Sequence, residues 1–177
     1  MSEQKIAIIG GTGDLGFGLA LRWAQAGVDV IIGSRDEGKA KEAARRIQES
    51  LKATPPNNPV EFSVIGLENA QAAAKASVVV LAVPISAQIA ILKSIRGSLK
   101  GAILVDTTVP LAAAFGGKAT RMLGLPQGSA AAQARELVPV TTPVLAAFHN
   151  VSAEALGDLG VTPECDILVC GDDDAAK

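Results

Sequence analysis

The chain has 177 residues, with 16 Lys and Arg against 18 Asp and Glu, a formal net charge of −2, and 49% apolar residues. That length suits a single domain able to bury its own core without disulfide or metal staples, and a balanced charge without basic clusters argues against nucleic acid or an anionic membrane surface as partner. The positive mean hydropathy of +0.33 comes from dispersed Ala and Val, and no apolar run approaches the roughly 20 residues of a membrane span.

Met1-Ser2-Glu3-Gln4-Lys5 leads straight into an apolar segment, so no secretory leader is expected and the expected setting is cytoplasmic. Residues 6–9, Ile-Ala-Ile-Ile, are short and β-branched, as a buried parallel strand should be. Gly10-Gly11-Thr12-Gly13-Asp14-Leu15-Gly16 follows and opens a helix over about 15–26. Gly11, Gly13 and Gly16 fall on the G-x-G-x-x-G spacing: one for the tight turn, one for close approach to phosphate, one for helix–strand packing. Free amides at the helix start, with the positive end of its dipole, make this turn a pyrophosphate site. A bare G-x-G-x-x-G says little, but this one sits between a strand and a helix.

The second strand, residues 28–32, follows Gly27 and ends in Gly33-Ser34-Arg35. An NAD-binding fold places an Asp or Glu about 20 residues past the glycine turn, on the ribose 2′-hydroxyl. Here that position is Ser34 with Arg35 beside it, and Lys39 lies one helical turn on. A hydroxyl and a guanidinium bind a 2′-phosphate that a carboxylate would repel. The expected cofactor is therefore NADP(H), with Asp36 capping the next helix instead of binding ribose.

Strand and helix signals alternate from there on, the pattern of a Rossmann-type doubly wound α/β fold with a mostly parallel sheet. An amphipathic helix over 37–51 turns Ala40, Ala43, Ala44, Ile47 and Leu51 inward, and residues 54–59 form a Pro- and Asn-rich loop. A third strand is expected over 60–65, a helix over 68–76, and a strand over 77–83 that Pro84 ends. A helix over 86–95, a strand over 102–106, an irregular stretch over 107–128 and a helix over 130–137 follow. Next come a strand over 144–148, a helical turn over 153–156 and a last strand over 166–169.

Ligands of open α/β sheets lie beyond the carboxyl ends of the strands. Val83 and Pro84 should pass the ribose and nicotinamide side of the cofactor, and His149 should emerge at a strand end facing the substrate. Cys165 and Cys170 sit five residues apart in one strand-like segment, hence on opposite faces, which disfavours a mutual disulfide. Buried free thiols are expected. No metal set is expected either, since His149 is the single histidine and has no paired ligand motif.

The chain contains no tyrosine, so the Tyr-x-x-x-Lys acid of short-chain dehydrogenases is missing. Beyond His149 the single lysine is Lys177, which also removes the helix-borne lysine of many β-hydroxyacid dehydrogenases. With no catalytic acid or base assigned, hydride transfer between two bound coenzymes fits best, because the coenzymes carry the chemistry. A non-catalytic NADP-binding sensor, or another NADP-dependent reductase acting on imines or ferric chelates, stays open as an alternative.

Gly10-Gly11-Thr12-Gly13-Asp14-Leu15-Gly16, Gly33-Ser34-Arg35, Phe148-His149-Asn150-Val151 and Cys170-Gly171-Asp172-Asp173-Asp174 together resemble the NADPH-dependent coenzyme F420 reductases. The resemblance implies hydride transfer between the nicotinamide C4 of NADPH and the deazaflavin C5 of F420. It implies Thr12, Ser34, Arg35 and Lys39 on NADP, and His149 and Val151 against the deazaflavin. Members of that family continue into helices that close the deazaflavin pocket and support a dimer. The expectation for residues 1–177 is thus a single NADP-binding domain without that helical extension, an incomplete catalyst that would form a homodimer only with the extension present.

Overall fold

The computed structural model describes residues 5–54, 61–172 and 176. A seven-stranded sheet, ordered β3-β2-β1-β4-β5-β6-β7, runs through the molecule. The strands are β1 (Lys5–Ile9), β2 (Asp29–Ser34), β3 (Val64–Glu68), β4 (Val78–Leu81), β5 (Ile103–Asp106), β6 (Val144–Ala146) and β7 (Cys170–Gly171). The first six are parallel, and β7 alone runs antiparallel, on the edge beside β6. The expected doubly wound class is what the chain adopts.

Alternation along the strands divides the core into two layers. Ile8, Val30, Ile32, Val80 and Val105 pack toward α1 (Asp14–Gln25), α2 (Glu37–Ala53) and α6 (Ala153–Gly157). Ala7, Ile9, Ile31, Val79, Leu81 and Leu104 pack toward α3 (Asn69–Ala74), α4 (Ile85–Ile95) and α5 (Ala130–Leu137). The inner face foreseen for α2, from Ala40 to Leu51, is the buried one. Strand order reverses at β1, flanked by β2 on one side and β4 on the other. A ligand crevice opens at such a reversal.

Two expected strands are misplaced. The third strand lies at Val64–Glu68, later than residues 60–65, and residue 60 falls outside the described residues. Gly66 is the centre of β3, where a Cβ would stand 2.2 Å from the Ala40 backbone carbon of α2. The glycine is what lets helix and strand close on each other. Residues 166–169 form no strand. β6 offers only Leu145 and Ala146 for pairing, and these take Gly171 and Cys170. Ile167, Leu168 and Val169 stay exposed, and so do Cys165 and Cys170, which are free thiols on the surface and not buried ones. Asp173 and Asp174 of the Cys170-Gly171-Asp172-Asp173-Asp174 motif lie outside the described residues. Among the described residues, no helix is long and apolar enough to cross a membrane.

Candidate functional site

The turn after β1 is built from glycines for steric reasons. Gly10 has φ +86°, and a Cβ on it would meet the Ala82 carbonyl oxygen at 2.3 Å. Gly11 donates its N–H to the Ile8 carbonyl at 3.1 Å, and Gly13 donates to the Gly10 carbonyl at 3.0 Å, closing a tight loop. A Cβ at Gly16 would sit 2.7 Å from that same Gly10 oxygen, so the bare α-carbon lets α1 settle against the turn. Gly13 caps α1, and among the described residues no side-chain hydrogen bond caps this helix start. Those amides are left for an anion. A pyrophosphate fits this cradle, and side chains would fill it.

Beyond β2, Asp36 caps α2 by accepting from the Lys39 amide at 3.1 Å, so its carboxylate serves the helix, as expected. The Ser34 hydroxyl accepts from the Asp36 amide at 3.2 Å and keeps its own proton to donate. Arg35 and Lys39 are exposed, and none of the ion pairs among the described residues involves them. Two cations and a hydroxyl converge where a 2′-phosphate would lie.

A cleft of about 540 Å³ joins these groups: Gly10, Thr12 and Gly13 form one end, Ser34, Arg35, Asp36 and Lys39 the rim, and Asn69, Ala82, Val83, Pro84, Ala87 and Ile91 the floor and far wall. Of the expected cofactor residues it gathers Thr12, Gly13, Ser34, Arg35, Lys39, Val83 and Pro84. Gly11 and Gly16 lie buried beneath the turn, and Asp14 and Leu15 form the first turn of α1, outside the cleft lining. His149 and Val151 also lie outside it. His149 is exposed in the turn after β6, and Val151 is half-buried against the layer containing α1.

Between cleft and His149 lies a buried polar cluster that sequence reasoning missed. Asp106 ends β5 and is fully buried. Its Oδ1 accepts from the Thr108 amide at 3.0 Å and its Oδ2 from Gln88 Nε2 at 2.7 Å. Gln88 also donates to the Ala130 carbonyl at 3.0 Å and accepts from Gln133 Nε2 at 2.6 Å. Burial pushes the Asp106 carboxyl above the ordinary aspartate range, opposed by its hydrogen bonds to Thr108 and Gln88 and by the charge of His149 nearby. Thr107 Oγ1 donates to the Leu81 carbonyl at 3.0 Å and Thr108 Oγ1 to the Val83 carbonyl at 3.5 Å, fastening the end of β5 to the β4–α4 loop that walls the cleft. One signal could have found Gln88: it is the polar residue on the buried face that Ile85, Ile91, Leu92 and Ile95 define in α4.

The sequence model of a family described as NADP oxidoreductase, coenzyme F420-dependent, matches residues 5–110. The F420-dependent NADP reductase of Methanocaldococcus jannaschii is 46% identical over 174 residues, 98% of this chain and 75% of that protein. The enzyme of the same name from Methanothermobacter marburgensis is 47% identical over 170 residues, 96% of this chain and 73% of that protein. Among solved structures, Plasmodium falciparum pyrroline carboxylate reductase with NADP bound superposes with TM-score 0.58 at 15% identity, covering 98% of this chain and 50% of that one. Lactate dehydrogenase from Eimeria maxima with NADH and oxamate gives TM-score 0.57 at 17% identity, over 82% of this chain and 43% of that one. At such identities these two superpositions speak for the fold alone.

Proposed function

This chain belongs to the coenzyme F420-dependent NADP oxidoreductases, and from that membership we infer that it is an oxidoreductase moving a hydride between NADPH and coenzyme F420. The observation that carries the inference is identity of 46% and 47% along nearly the whole chain to two reductases of that activity. The hydride would move between nicotinamide C4 and deazaflavin C5, so the coenzymes would supply the chemistry and the protein the alignment.

Each group of residues in the site has a part in that alignment. The first-turn amides of α1, behind Gly11, Thr12, Gly13, Asp14, Leu15 and Gly16, hold the pyrophosphate. Ser34, Arg35 and Lys39 hold the 2′-phosphate through charge-assisted hydrogen bonds. Val83 and Pro84 form the wall on the nicotinamide side, and their loop is tied down by Thr107 and Thr108. His149 and Val151 approach the deazaflavin from the turn after β6. A fixed wall matters here because hydride transfer needs the reacting carbons held about 3–3.5 Å apart.

The test mixes the protein with NADPH and oxidised F420 and follows loss of the deazaflavin absorbance, with NADPH affinity measured separately. Bleaching is expected from a version extended by the helices that follow in the family. Tight NADPH binding with no bleaching of F420 by that extended version would overturn the hydride-transfer reading and leave a binding protein.

A further inference from the structure

We propose that Asn69 is a recognition residue for the adenosine half of the dinucleotide: a turn of its carboxamide brings the oxygen, sealed beside Gly33 in the ligand-free fold, to accept a hydrogen bond from that half. The proposal rests on the NADP reading of the cleft and adds a contact that the glycine turn and the Ser34–Arg35 rim do not supply.

Asn69 is the first residue of α3, directly after β3, and is only 3% exposed. It lines the cleft together with Ser34 and Arg35. Its Oδ1 is buried and has no hydrogen-bond partner among the described residues. The side chain is not spent on capping its own helix, because the Glu68 carboxylate does that by accepting from the Ala70 amide at 2.9 Å. Gly33 makes the room: a Cβ there would stand 3.2 Å from Asn69 Oδ1 and 2.7 Å from Ile9 Cδ1. A buried acceptor without a partner is disfavoured and rare in folded proteins, and where one persists beside a ligand cleft the partner is reasonably sought in the ligand.

Position identifies which half of the ligand. With the pyrophosphate over the β1–α1 turn, segments leaving β2 and β3 face the adenosine side, and segments leaving β4 and β5 face the nicotinamide side. Asn69 leaves β3 next to Ser34, whose Cα pairs with Glu68 in the β2–β3 ladder. The donors available on that half are the ribose 3′-hydroxyl and the adenine exocyclic amine. Both are hydrogen-bond donors suited to a carboxamide oxygen.

The decisive variant is Asn69→Leu, which keeps the shape and removes the unpaired acceptor. Calorimetry with 2′,5′-ADP and with nicotinamide mononucleotide separates the two halves of the ligand, and thermal unfolding of the ligand-free protein reports structure. The expected result is 2′,5′-ADP binding weakened roughly three- to tenfold, mononucleotide binding unchanged, and a ligand-free melting temperature unchanged or raised. The inosine analogue of 2′,5′-ADP then assigns the donor. If Asn69→Leu weakens the analogue as much as the parent, the donor is the ribose hydroxyl. If it weakens only the parent, the donor is the amine. Asn69→Ala, read the same way, serves if the leucine variant does not fold. Wild-type affinity for 2′,5′-ADP in the variant overturns the role of Asn69. Failure of the wild-type protein to bind NADPH at all overturns the NADP reading beneath it.

Discussion

The ring of Phe148 meets Trp23 of α1 edge-on, centroids 5.7 Å apart and planes at 76°, while the Phe148 backbone is held at φ +65°. Among the described residues it is the one non-glycine residue with positive φ, and it stands immediately before His149. A bulky side chain in that region is strained. The aromatic contact offsets the strain, and the left-handed residue turns the chain out of β6 so that His149 is presented at the strand end. Substitutions should separate the two effects. Phe148→Ala loses the ring and keeps the strain, for an expected destabilisation of about 2–4 kcal/mol. Phe148→Gly loses the same ring but accepts the backbone angle, and should be more stable than the alanine variant by about 1 kcal/mol. Urea unfolding of the three proteins checks the order, and an alanine variant as stable as the glycine variant would refute the strain.

The second prediction concerns cofactor choice. Arg35 contributes a charge-assisted contact to the 2′-phosphate and nothing to a 2′-hydroxyl. Loss of such a bond amounts to about 1.5–3 kcal/mol, so Arg35→Ala should weaken NADPH roughly ten- to a hundredfold. NADH affinity should barely move. Calorimetric titration of both cofactors against both proteins measures it, and equal affinities for the two cofactors in the wild type would end the argument for NADP.

Much of this was legible in the sequence because it depends on local rules. The glycine spacing at Gly11, Gly13 and Gly16, the carboxylate-free end of β2 at Ser34-Arg35 and the cap at Asp36 each follow from steric or hydrogen-bonding needs within a few residues. What escaped depends on partners distant in sequence. Gln88 and Asp106 are 18 residues apart and Gln133 lies another 27 beyond Asp106, so their cluster exists only once α4, β5 and α5 have packed. Asn69 became visible as a candidate only because Gly33 opens space beside it and Glu68 takes the capping role. The segment 166–169 has the composition of a strand, but β6 is too short to give it a neighbour. The exposed cysteines follow from the same shortage.

The third prediction follows from the buried carboxyl. Burial raises the Asp106 pKa above its ordinary value in the folded state, while the unfolded chain titrates near 3.9. Between those two values the folded protein holds a proton that the unfolded chain has released. Stability therefore falls as pH rises through that window and is flat above it. Asp106→Asn cannot titrate. Urea midpoints from about pH 3 to about pH 7 should shift in favour of the wild type as the pH drops, measured against the asparagine variant. Parallel pH profiles for the two proteins would show that Asp106 carries no such shift.

The last prediction tests whether the glycine turn is a steric requirement and not merely a flexible link. At Gly16 a Cβ would meet the Gly10 carbonyl oxygen at 2.7 Å and the Gly11 α-carbon at 2.8 Å, both backbone atoms that cannot rotate aside. Gly16→Ala must therefore push α1 away from the turn and misplace the amides that hold the pyrophosphate. Overpacking of this kind destabilises by about 1–3 kcal/mol, and NADPH affinity should fall by at least about tenfold because several hydrogen bonds are misaligned together. Gly97 provides the control. It is exposed, in the 3-10 turn after α4, and a Cβ there has nothing within 4 Å. Gly97→Ala should leave NADPH binding untouched and stabilise slightly, by about 0.5 kcal/mol, through a less flexible unfolded chain. Urea unfolding and NADPH titration of both variants give the comparison. If Gly16→Ala behaves like Gly97→Ala in both measurements, the close contact at Gly10 is not what shapes the phosphate site.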